Sequence, residues 1–367
     1  MIVEPDQVAE SKQVEKGLMK AIVRTRYGSP DVLEFKELEK PVPNNVRGVL
    51  VKVYASSVNP TDRYDLKPPF FFRLIGPLFR LGIGLRRPKD PGLGSDVAGR
   101  VEAVADNITQ FKPGDEVFGV APGSYAGYAV GREARLALKP ANSSFEESAS
   151  VPIAGLTALQ ALRDHGHIQP GQKVLVNGAG GGVGTFAVQI AKAFGAEVTA
   201  VTNTGNLDML RKLGADHVID YTEQDFAKNR ESYDLICDIA ASHSISDYKR
   251  IMNPNGIFVL VGMKDKIIRR LVYFLILGRL RSRGDKKFRF FIAKINQKDL
   301  VFMKELLETR KVVPAIDRRY PLNETADAIQ YLIDGHARGK IVINVDQDDR
   351  RPAWSGPYVS STGDGSR

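Results

Sequence analysis

The sequence predicts an α/β protein in which a doubly wound parallel sheet is joined to a smaller, mostly β unit. Three observations lead there. Residues 173–201 (KVLVNGAGGGVGTFAVQIAKAFGAEVTAV) read as strand, glycine turn, helix and strand in succession. After them, short apolar runs alternate with helical stretches, as βαβ units do. Before Asn142 the chain offers only short strands between Gly and Pro turns, and 367 residues exceed one typical core.

Residues 1–18 carry Glu4, Asp6, Glu10 and Glu15, which is wrong for a signal or transit peptide, and read as a flexible extension. Residues 19–25 and 32–38 form an opening hairpin around Gly28, Ser29 and Pro30. Residues 49–58 alternate as a third strand, ended by Asn59-Pro60, where a short helix can start. Residues 93–104, 114–120 and 125–130 add short strands, so residues 19–141 make a small folded-over barrel. A helix rich in Ala and Leu is expected at 148–163, and strands at Lys173, Glu197, His217, Tyr233 and Ile257. Helices at 206–213, 223–231, 244–252 and 299–309 complete a unit spanning 142–310. Residues 320–345 read as helix plus strand, within a segment (311–345) returning to the first unit. Residues 346–367 read as a disordered tail.

Hydrophobic residues make up 43% and charged residues 26% of the chain, as in an ordinary globular protein. Cys237 is the single cysteine, which excludes an intramolecular disulfide and a multi-thiolate metal site and suits a reducing cytoplasm. No apolar run approaches the ~20 residues that cross a bilayer. The net charge of +9 is concentrated: residues 67–89 hold six basic and no acidic side chains, and residues 264–294 eleven basic and two acidic. No nucleic-acid motif accompanies it, so nucleic acid is not an expected partner.

A strand-to-helix turn needs glycine where a Cβ is sterically barred or where a ligand must approach backbone N–H groups. Five of the seven residues after Asn177 are glycine, and a helix N-terminus favours an anion. The spacing is G-x-x-G-x-x-G at Gly178, Gly181 and Gly184, with Gly180 and Gly182 besides, and not the strict G-x-G-x-x-G. In this context it predicts a Rossmann dinucleotide site formed by those five glycines and Val183. The alternative is a tight turn with no ligand. A carboxylate closing the second strand would select NAD through the ribose 2′-hydroxyl. Here Thr202 to Asn206 offers none before Asp208. Thr202 and Asn206 therefore leave room for a 2′-phosphate, and NADPH is the expected cofactor.

The succession MKAIV, SVNPTDRY, GSDVAG, FKPGDEVFG, GLTALQAL, PGQKVLVNGAGGGVG, LGADHVIDY, PNGIFVLVG and GKIVINV resembles the medium-chain dehydrogenase/reductase superfamily over residues 19–345. It is most similar to the zinc-independent quinone oxidoreductase and alkenal reductase branch. The resemblance implies a GroES-like β-barrel catalytic domain beside the Rossmann domain, a homodimer, and hydride transfer from NADPH to a quinone or an α,β-unsaturated carbonyl. It places Tyr221 at the 2′-phosphate and Val261, Gly262 and Met263 along the nicotinamide. Thr157 falls at the nicotinamide-phosphate end, with a back-bonded helix threonine as the alternative. The branch usually offers Arg or Lys near Gly205 or Asn206, and this sequence does not.

Asn59, Asp62 and Tyr64 in NPTDRY match the branch's active-site segment. Asn59 is expected as an amide donor to substrate or ribose, and Tyr64 as hydroxyl donor and wall. Asp62 belongs either to the site or to the cap of a helix starting at Pro60. Tyr125 either lines the pocket or fills the core. No metal is expected, because Gly94-Ser95-Asp96 stands where zinc members carry G-H-E and no cysteine precedes Cys237. His165 and His167 have no third ligand in view. Without a Lewis acid to acidify a hydroxyl, alcohol oxidation is disfavoured and an already polarised acceptor is expected.

Residues 67–89 and 264–294 would flank the mouth of this site. They form either a lid and a dimer-contact strand or a surface for anionic lipid. Two rival functions remain: enoyl-thioester reduction, with the basic segments meeting the thioester's phosphates, and a non-catalytic nucleotide-binding scaffold. The protein is expected in the cytoplasm, at most peripheral to a membrane.

Overall fold

A computed structural model describes residues 17–44, 48–68, 88–261, 285–335 and 337–345. Gly262, Met263, most of both basic segments and the two ends fall outside the described residues.

An opening hairpin pairs β1 (Leu18–Arg24) with β2 (Leu33–Glu39). β3 (Val49–Val58) runs into the short helix α1 (Pro60–Leu66). β4 (Asp96–Val104), β5 (Glu116–Val120), β6 (Tyr128–Gly131) and β7 (Leu136–Leu138) follow. The helix expected at 148–163 is instead α2 (Phe145–Ala149) and α3 (Pro152–Gln160). Pro152 lacks an N–H and starts a helix more easily than it continues one. Past Gln160 the coil widens into a π turn, closed by Gly166 N–H on Ala161 O at 2.7 Å.

β8 (Lys173–Asn177), α4 (Gly182–Ala193), β9 (Glu197–Thr202), α5 (Leu207–Lys212) and β10 (His217–Asp220) come next. β11 (Tyr233–Asp238), α6 (Ile245–Arg250), β12 (Met252–Leu260), β13 (Lys287–Phe290) and α7 (Gln297–Glu308) complete this unit. The helix expected at 223–231 is only a single 3-10 turn, Phe226–Lys228, since Asp225 caps it early by accepting from Ala227 N. The six strands lie in the order β10-β9-β8-β11-β12-β13, with every neighbouring pair parallel. Alternate residues serve opposite faces. Val174, Val176, Leu235 and Cys237 enter one core, while Leu175 and Ile236 enter the other, as a sheet covered by helices on both sides requires.

The chain then returns. β14 (Ile316–Pro321), α8 (Thr325–Ile333) and β15 (Lys340–Asn344) extend the first sheet, whose order is β14-β15-β3-β4-β5-β7, with β6 also on β3. β7, β13 and β14 are too short or too charged to announce themselves by periodicity.

Candidate active site

Strand order reverses between β8 and β11, and an open α/β sheet binds its ligand in the crevice outside the C-terminal strand ends at such a point. Asn177 closes β8 and donates to Asp238 Oδ1 at the end of β11 (2.8 Å). The glycine turn follows. Gly178 has φ +87°, which a Cβ would strain. Its N–H and that of Ala179 bond Val201 O at the end of β9, at 3.2 and 3.0 Å. Gly184 is required by proximity, because a Cβ there would stand 2.3 Å from Gly178 O. A Cβ on Gly180 would stand 2.4 Å from Asn206 Nδ2 and 2.6 Å from Thr202 Oγ1. Asn206 in turn donates to Thr202 Oγ1 (3.2 Å) and leaves its own Oδ1 buried without a partner. An orphaned buried acceptor beside the start of a helix suits a ligand that brings hydroxyl donors. The turn thus fits a dinucleotide: Gly181 is the N-cap of α4, and Val183 is half-buried on its first turn.

Other expected contacts are placed as follows. Thr157 Oγ1 bonds back to Ile153 O (2.6 Å), which is the helix alternative. Tyr221 is 57% exposed just past β10. Val261 extends β12 through its N–H on Asp238 O (2.9 Å). The cation missing near Gly205 comes from elsewhere in the chain. Arg338 Nη2 lies 3.1 Å from where a Gly205 Cβ would be, and its Cζ 3.4 Å away. Its backbone N–H is held by Asp317 Oδ2 (2.9 Å).

The NPTDRY segment starts at the joint between β3 and α1. Asn59 is 2% exposed. Its Nδ2 donates to Asp96 Oδ2 (2.8 Å) and Ser57 O (3.2 Å), and its Oδ1 accepts from Lys340 Nζ (2.7 Å). Both amide hydrogens are engaged internally, so the expected donor role toward substrate or ribose does not match this geometry. Asp62 Oδ2 accepts from Asn59 N and from Tyr125 OH, each at 2.7 Å, so the cap is the role Asp62 takes. Tyr125 is fully buried, a core aromatic and not a pocket wall. Burial pushes the Asp62 carboxyl up to about 7, against the opposing pull of those two hydrogen bonds, and Asp65 and Asp96 add to the rise. Tyr64 is half-buried on α1.

Two residues were not singled out as functional from sequence. Asp96 is fully buried at the start of β4 and accepts from Ser57 Oγ (2.6 Å), Asn59 Nδ2 (2.8 Å) and Ile153 N (3.0 Å). Lys340 stands 3.5 Å from Asp96 Oδ2 and is itself 2% exposed. Burial lowers its pKa, while Asp96 and Asp62 raise it back. A lone charge inside an apolar strand pattern (GSDVAG, GKIVINV) was the signal available. His165 stacks on Phe291 (4.3 Å) and His167 Nε2 meets Arg289 Nη1 (2.6 Å). Among the described residues no three His, Cys, Asp or Glu gather as a metal cluster would.

Comparison with known proteins agrees with this architecture. The profile of the alcohol dehydrogenase GroES-like domain matches residues 46–159, and that of zinc-binding dehydrogenases matches residues 213–343. The 2-methylene-furan-3-one reductase of Solanum lycopersicum is 35% identical, covering 89% of this chain and 79% of that protein. The chain belongs to the medium-chain dehydrogenase/reductase superfamily. The quinone oxidoreductase of Homo sapiens is 30% identical, over 89% of this chain and 98% of that one. A quinone oxidoreductase structure from Coxiella burnetii superposes with a TM-score of 0.76 at 28% identity, covering 90% of this chain and all of that one. Within the superfamily this member lies in the quinone oxidoreductase and alkenal reductase branch, and it is an oxidoreductase using a nicotinamide cofactor. No helix among the described residues is long and apolar enough to cross a membrane.

Proposed function

We propose that this enzyme is a zinc-independent, NADPH-dependent reductase of quinones or α,β-unsaturated carbonyls. The observation that carries the cofactor choice is Arg338 lying over Gly205, where the chain leaves β9 without a carboxylate. A guanidinium there favours a phosphate on the adenosine ribose and gains little from a bare hydroxyl. When bound, the nicotinamide supplies the hydride.

The residues of this chain have three tasks. The glycine turn and Asn206 hold the dinucleotide. The β3–α1 joint, fixed by Asn59, Asp62 and Asp96, presents Tyr64 as the donor for the developing enolate or hydroquinone oxygen. Solvent returns the proton. Zinc independence rests on the donor set: Asp96, standing where zinc members carry a glutamate, has both oxygens engaged by protein N–H and O–H groups. Loss of activity on dialysis against a chelator, restored by zinc, would contradict that reading.

The deciding experiment follows NADPH and NADH oxidation against a panel of quinones, enals, enones and enoyl thioesters. Turnover with enoyl thioesters alone would replace the substrate assignment, and equal kcat/KM for the two cofactors would remove the NADPH assignment. We place the enzyme in the cytoplasm as a homodimer paired through β13, the last strand of its sheet among the described residues. Cell fractionation and sedimentation equilibrium test these two points. Co-sedimentation with anionic vesicles tests the peripheral membrane contact proposed for the basic segments.

A further inference from the structure

We propose that Lys340 is a positioning residue for hydride transfer, a tie that sets the spacing between the glycine turn and the segment carrying Tyr64. The proposal rests on the crevice being the cofactor site. Lys340 opens β15, and the backbone just before it is pinned to the glycine turn. Gly339 N–H donates to Gly180 O (2.9 Å), and Gly339 forms a β-bridge with Gly181. Gly339 has φ +99°, and a Cβ on it would stand 2.3 Å from Ala315 O, so no other residue fits this approach without strain. The Lys340 stem then passes Gly182, the first residue of α4, with Cδ 2.9 Å from where a Gly182 Cβ would be.

The ammonium ends at the joint on the other side. It donates to Val58 O (3.1 Å) and Asn59 Oδ1 (2.7 Å) and stands 3.5 Å from Asp96 Oδ2. Two hydrogen bonds and one ion pair hold it there. Asp96 in turn reaches α3 through Ile153 N (3.0 Å). One side chain thus passes beside the first residue of the cofactor helix and bonds the residue that caps the substrate-side helix.

Holding the two units together does not require this arrangement. A buried charge pair is expensive to desolvate, and an apolar side chain of the same volume packs as well or better. What the ammonium adds is direction, because it fixes the carbonyl and amide at which α1 begins. A displacement of about 1 Å between reacting groups lowers a rate about a hundredfold, so direction at this joint governs kcat more than cofactor affinity.

The test uses the full-length protein as Lys340→Met, Asp96→Asn and the double variant. NADPH Kd is read by fluorescence titration without turnover, kcat by saturating kinetics on the best acceptor of the panel, and folding by thermal melting. Lys340→Met keeps the stem beside Gly182, so Kd should stay within about threefold while kcat falls about 30- to 100-fold. The deuterium isotope effect from labelled NADPH should rise as hydride transfer becomes limiting. The double variant should lose no more kcat than Lys340→Met alone, because both substitutions break one tie. If Lys340→Met does not fold, Asp96→Asn carries the same reading, with kcat lowered and Kd kept. Unchanged kcat, a Kd that rises while kcat holds, or additive losses would overturn the proposal. A wild-type protein that binds neither NADPH nor NADH would instead overturn the cofactor reading beneath it.

Discussion

Replacing Arg338 by alanine should separate the two nicotinamide cofactors. The guanidinium sits against the turn after β9, 3.1 Å from the position of a Gly205 Cβ. A charged hydrogen bond contributes about 1.5–3 kcal/mol. Arg338 is exposed, so screening by salt places the effect near the lower end. About 1.5 kcal/mol corresponds to roughly a tenfold rise in KM for NADPH. NADH carries no 2′-phosphate, and its kcat/KM should stay within about twofold of wild type. The assay is initial-rate kinetics with both cofactors at two ionic strengths, and the wild-type preference should shrink at the higher one. An equal loss with both cofactors, or none with either, would refute the assignment of this cation to the phosphate. Gly205→Glu, which puts a carboxylate beside the guanidinium, should turn the preference toward NADH.

Gly184→Ala places a Cβ 2.3 Å from Gly178 O, a backbone atom that cannot rotate away; overpacking of about 1–3 kcal/mol should lower the melting temperature and weaken dinucleotide binding, and wild-type values for both would contradict the packing argument. Asp62 holds its proton to about 7 when folded against 3.8 when unfolded, so its contribution to stability is complete below the lower value and is lost as pH rises through the upper one. Urea unfolding of Asp62→Asn should therefore show a stability difference moving in favour of the asparagine variant between those pH values, by at most about 1.4 kcal/mol per unit, and a constant difference would remove the buried-acid reading. Tyr64→Phe should lower kcat by about a hundredfold, with NADPH Kd unchanged, if its hydroxyl stabilises the developing oxyanion; unaltered turnover would take Tyr64 out of the mechanism.

The sheet was legible because its signals are local. A strand buried on both faces is a run of Val and Leu, the turn is marked by five glycines, and α4 carries a clear apolar stripe. The corner beside the glycine turn was half legible for the same reason: Gly180, Thr202 and Asn206 stand out in the sequence, and they pack against one another. What escaped depends on partners distant in the chain. Asn59 looked like a free amide until Asp96 and Lys340 closed on both of its ends. Asp62 and Thr157 are the exceptions: each had two roles open, and the bonds that choose between them are local, from Asn59 N for the first and to Ile153 O for the second. Arg338 was invisible because a search for a cation near Gly205 looks along the chain, and this one arrives through the return segment.

That return segment joins the two halves of the site more closely than its length suggests. Arg338, Gly339 and Lys340 are consecutive, and each engages a different part of the crevice: Gly205 after β9, Gly180 in the turn, and Asn59 at the start of α1. Under the proposed function, adenosine-phosphate selection, the seat of the glycine turn and the pose of the substrate-side helix share one short piece of backbone, anchored by Asp317 and Ala315. A disturbance of that anchor cannot be confined to one of the three. Asp317→Ala releases the Arg338 N–H and should alter cofactor preference and kcat together, whereas Arg338→Ala should alter preference alone. Finding the two effects separable in Asp317→Ala would mean that Arg338 and Lys340 act independently, and that the segment is only a linker.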